Sequence, residues 1–129
     1  MLGVVTATLL VLTLAHDADH VRQGRALAIE LYGVALAALV MLTITLVLLR
    51  RRHPFADIAA ATVGLSTVVG VASVHVAPAR PFLSDSYGAA GADALSWAIV
   101  VLMMCAGLAM AVLALLRLRA AGGRRLRHQ

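Results

Sequence analysis

Two imidazoles stand four residues apart in the segment His16-Asp17-Ala18-Asp19-His20. On a continuous helix that spacing stacks them on one face, with Asp19 beside them and Asp17 turned away by about 100°. Neutral imidazole nitrogens one turn apart can share a transition ion, and carboxylates supply further oxygen ligands. His75 lies near the end of a later apolar run, and Glu30 is the one acid well inside an apolar run. An ionisable group at such a position in a membrane helix faces the bundle interior and finds a partner there. The candidate ligand set is therefore His16, His20, Glu30 and His75, with Asp17, Asp19 or Asp85 as additional ligands. Asp85, flanked by Ser84, Ser86 and Tyr87, belongs to a segment that can fold over the site as a lid.

Such a mixture of imidazole and carboxylate suits zinc, iron, manganese or oxidised copper. Haem b held between His75 and His16 or His20 is a weaker version of the same idea. The HxxxH spacing lacks the glutamate of HExxH, which removes the zinc-protease reading, and no catalytic residue is assigned. A purely structural alternative makes His16 to His20 the wet end of a helix, pairing with Arg22 and Arg25. Met103, Met104, Cys105 and Met110 are soft donors by type, but their depth in the last apolar run makes them packing residues. Tyr87 and Trp97 read as interfacial anchors.

Positioning these groups requires long elements. The chain has 129 residues, of which 62% are hydrophobic, and its mean hydropathy is +0.95. A water-soluble fold of this size has too little interior for that much apolar surface. A membrane-spanning helix needs about 20 apolar residues, and four such runs are present. The expected fold is an all-α integral membrane protein, a four-transmembrane-helix bundle forming one membrane domain over residues 1–129. Its helices are expected at about 2–20, 25–49, 55–76 and 94–118, followed by a basic tail, 119–129. Pro54 and Asp57 open the third helix, and Pro78 and Pro81 close it. Residues 77–93 form the sizeable loop. The apolar N-terminal segment lacks a basic leader and a clean A-x-A site, so it is read as a retained helix.

The net charge is +5 and every basic residue other than histidine is arginine. Eight arginines fall after the second helix and after the fourth (50–52, 117, 119, 124, 125 and 127), against three, Arg22, Arg25 and Arg80, after the first and third. Arginine is retained on cytoplasmic flanks, which gives an N-in/C-in topology facing anionic headgroups on that side. The histidines and the 77–93 loop then share the opposite face. Arginines so placed do not suggest nucleic acid; the Arg-only, Ala- and Val-rich usage suggests a GC-rich bacterial genome, and the expected location is the inner membrane of a bacterium. A single cysteine rules out an intramolecular disulfide and a CxxC redox pair.

Small residues recur at helix-packing spacing: Gly33 with Ala37, Ala60 with Gly64, Ser66 with Gly70, Gly107 with Ala111. They serve packing within the bundle or a homodimer face. The sequence-level function is a small membrane metal- or cofactor-binding protein. The competing classes are a non-catalytic accessory subunit or scaffold of a larger membrane complex, and a small proton-coupled transporter using Glu30 and the histidines. The inner halves of the second and fourth helices carry almost no polar line, which counts against a transport path.

Overall fold

The computed structural model describes residues 1–24, 29–77 and 86–126, and the side chains of 1–24, 32–77 and 86–123. The described residues are helical throughout apart from short connections, and none forms a strand. Helix α1 spans Leu2–Arg22, α2 Ile29–Arg50 and α3 Ala56–Val71, which runs on as a π-helical turn, Ala72–Val76. A single helical turn, α4 (Tyr87–Ala90), precedes α5 (Ala94–Leu126). Four of these helices are long and apolar enough to cross a membrane.

The connections follow from local chemistry. Arg52 has a positive φ of 51°, and the His53 N–H reaches back to the Leu48 carbonyl at 2.9 Å, closing the end of α2. Asp57 sits in the first turn of α3, where the helix dipole favours an anion, and it pairs with Arg117 of α5 at 3.3 Å. At the other end of α3, Ala77 is extended (φ −65°, ψ 152°), the conformation that a following proline such as Pro78 imposes.

Two boundaries differ from those expected. The loop assigned to 77–93 contains α4, which is stopped by Gly91 in the left-handed region (φ 65°). The basic tail assigned to 119–129 is helical as far as Leu126. Arginine, leucine and alanine are all good helix formers, so hydropathy marked where the apolar surface stops and not where the helix does. At 33 residues α5 is about 50 Å long, well beyond a hydrocarbon core of about 30 Å.

Packing is dominated by α3 on α5, with α1 against α5 and α2. Leu2, Leu9, Leu42, Ala60, Val63, Met103, Met110 and Ala114 form the core. Helices α3 and α5 touch backbone to backbone: a Cβ on Gly64 would stand 2.6 Å from the Gly107 carbonyl oxygen and 2.9 Å from the Ala111 nitrogen. Of the four small-residue pairs, Ala60/Gly64 and Gly107/Ala111 are thus the seam, whereas Gly33 and Gly70 face open space. Helix α2 is peripheral, with 11% of its apolar window buried against 33% for each other long helix.

Candidate metal centre

Helix α1 carries His16 and His20 to its last two turns, and the π-helical turn ending α3 carries His75 to the same level. All three imidazoles are buried. One ring nitrogen from each lies within 4.8 Å of the others, and the Nε2 atoms of His16 and His20 are 3.2 Å apart. Nitrogens bonded to a tetrahedral ion at 2.0–2.1 Å stand about 3.4 Å from one another. The His16–His20 edge, at 3.2 Å, is close to that spacing, and the edges to His75 lie within 4.8 Å. π-Helical turns inside α-helices are frequent at functional sites because the wider turn re-aims side chains. The three rings have centroid separations of 4.6, 4.7 and 5.4 Å. Rings this close suit one ion shared by all three better than a haem held between two of them.

The remaining candidate ligands divide. Asp17 is half-buried and lines the same cavity as the three histidines, although it is not within the 4.8 Å group. Asp19, expected beside the imidazoles, is engaged elsewhere: one oxygen accepts from Arg22 at 2.7 Å and the other from the Gln23 amide at 2.6 Å. The backbone of Glu30 lies in α2, but its side chain and the whole of Asp85 fall outside the described residues.

Asp19 belongs to a latch between α1 and α5. Arg22 bridges Asp19 and Asp93, at 2.7 Å to each, and Gln23 donates to the Ser96 hydroxyl at 2.7 Å. Asp93 is the N-cap of α5, accepting from the Ser96 N–H at 3.0 Å and the Ser96 hydroxyl at 2.9 Å. These arrangements fix the rotation of α1, and so the aim of His16 and His20. The backbone N–H of Ser96, the Arg22 guanidinium and the Ser96 hydroxyl hold the Asp93 carboxyl down to about 2. A depressed carboxyl stabilises the fold fully above its unfolded value near 3.9, and that contribution disappears as pH falls through the folded value. Asparagine caps equally well without the charge. The stability difference between wild type and Asp93→Asn is expected to hold constant from pH 7 to about 5, to shrink as pH falls through about 4, and to be lost below about 2, as read by chemical unfolding at each pH.

Tyr87, expected to be an interfacial anchor, is fully buried against the histidines. Its ring centroid lies 4.5 Å from that of His75, and its hydroxyl is 3.4 Å from Nδ1 of His16. Trp97 stacks edge-on against it at 5.6 Å. Were Nε2 of His16 to hold an ion, its Nδ1–H would donate to the phenol oxygen, the way an outer partner fixes the tautomer and orientation of a ligating histidine. Tyr87→Phe is expected to weaken zinc binding about ten- to a hundredfold with helix content unchanged, as read by competition with a chromophoric chelator. No local spacing announces this residue; its only signal is an aromatic in the polar segment before α5.

Comparison with family models, curated proteins and solved structures gives no match for the chain. The three histidines that could hold a metal ion are the strongest functional feature among the described residues.

Proposed function

We propose that this chain is a single integral membrane domain that binds one transition-metal ion through His16, His20 and His75 near the extracytoplasmic end of its bundle. The observation that carries the reading is the convergence of three buried imidazoles, two from α1 and one from α3, within 4.8 Å. Buried imidazoles in mutual contact are costly to protonate together, and an ion bonded to all three satisfies them at once. Three nitrogen ligands leave a fourth position free, the arrangement of zinc sites that bind or activate a molecule and not of closed structural sites. That position faces a cavity of about 330 Å³ lined by the triad and Asp17. Zinc is the first choice because it accepts three imidazoles tetrahedrally, and iron, manganese or copper are the competing ions.

The membrane setting and the N-in/C-in orientation rest on the four apolar helices and on the eight-to-three division of arginines. A bacterial cytoplasmic membrane is the corresponding location. In a Cys105→Ser background, Arg51→Cys is expected to react with an impermeant thiol reagent only from the cytoplasm and Ser86→Cys only from outside. The opposite pattern would place the triad at the cytoplasmic face. Protein purified without chelator and titrated with zinc is expected to retain one ion per chain; a chain that retains none removes the metal reading.

A further inference from the structure

The cavity beside the triad is not a polar pouch. Its exposed lining is mostly apolar, with hydroxyls from Thr13, Thr62, Ser66 and Thr67 among the walls, and it runs along α3 from Thr62 to His75, about 20 Å at the helical rise. At about 330 Å³ it has the size of a small-molecule site. Its walls on α2 (Val34, Ala38, Met41) and on α3 (Ser66, Gly70, Val74) leave a cleft between the two helices. Val34, Met41, Ser66 and Gly70 are exposed on the bundle's outer surface, so the cleft opens sideways, toward where lipid would lie. One end of it carries three imidazoles and the Asp17 carboxylate. Water-soluble ligands have no favourable route through such a cleft, whereas an alkyl chain enters it from the bilayer by exchanging one apolar surrounding for another.

Resting on the metal reading, we propose that the cleft between α2 and α3 binds a single-chain lipophilic molecule from the membrane, its oxygen-bearing head completing the coordination of the ion at the triad and its chain lying along α3. The complementarity is chemical at both ends. A dication held by three neutral imidazoles favours an anionic or polarisable oxygen in its fourth position. An apolar chain is what the rest of the cavity can solvate.

The test uses full-length protein in phosphatidylcholine nanodiscs, loaded with cobalt(II), whose visible spectrum reports its ligands. Octanoate and acetate offer the same head with and without a chain. Octanoate is expected to shift the spectrum at a concentration at least tenfold below that of acetate. Because octanoate concentrates in the bilayer whatever the protein does, variants that fill the cleft decide the matter. A Cβ at Gly70 meets nothing within 4 Å, so Gly70→Leu adds bulk to the cleft without a backbone clash, and Ser66→Leu does so one turn away. Both are expected to keep the cobalt spectrum and the acetate response while needing at least tenfold more octanoate. Unchanged octanoate response in both variants, or equal potency of the two acids in wild type, overturns the proposal and leaves the metal site standing. No cobalt spectrum in wild type overturns the metal reading, and this one with it.

Discussion

His75→Ala is expected to lower zinc affinity at least a hundredfold while all four long helices still form. His16 and His20 alone are an i, i+4 pair on one helix, an arrangement that any helix can offer and that holds an ion weakly. His75 comes from a different helix, so its nitrogen turns a pair on one helix into a three-point site with one position left open. Removing a partner outside the ligand shell costs about ten- to a hundredfold, and removing a ligand should cost more. A hundredfold corresponds to about 2.7 kcal/mol. The measurement is a competition titration alongside circular dichroism. Near wild-type affinity in the variant would mean that the triad does not hold the ion.

Gly64→Ala has the largest expected effect on the fold, a loss of about 2–3 kcal/mol from overpacking. The added methyl would meet the Gly107 carbonyl oxygen at 2.6 Å and the Ala111 nitrogen at 2.9 Å. Both are backbone atoms of α5, so relief requires the helices to move apart along the seam. In a bilayer such a seam would be held by close packing and not by water exclusion, which would make the lost contact hard to replace. Gly33→Ala and Gly70→Ala meet nothing within 4 Å and are expected to be neutral or slightly stabilising, since alanine is the better helix former. Denaturation in mixed micelles distinguishes the three. A Gly64→Ala protein as stable as Gly33→Ala would contradict the backbone contact between α3 and α5.

The long helices were legible because apolar run length is read directly, and the π-helical end of α3 falls where Pro78 demands an exit from the helix. His16, His20 and His75 were legible for a related reason: spacing places the first two on one face, and helix length places the third at their depth. What spacing cannot supply is the partner of each side chain across the bundle. Asp19 turns from the triad because Arg22 and Gln23 bind it and connect it to Asp93 and Ser96, more than 70 residues away. Asp17, about 100° round the helix from His16, borders the cavity. Tyr87 was hidden more completely, since its role depends on α4 packing against the π-helical end of α3, and a four-residue helix leaves no periodic pattern. The small-residue pairs were visible as a set, but only the helix order distinguishes the seam at Gly64 and Gly107 from the open positions at Gly33 and Gly70.

The claim on which the rest stands is that one ion sits among three imidazoles drawn from two helices. X-ray absorption at the zinc edge, on full-length protein loaded with one equivalent, addresses it without reference to activity. The expected spectrum has a first shell containing three imidazole nitrogens at about 2.0–2.1 Å, together with the outer-ring scattering that marks histidine. The Tyr87→Phe protein should keep that nitrogen count, and His75→Ala should lose one. A wild-type shell made only of oxygen, with no imidazole scattering, would contradict the account.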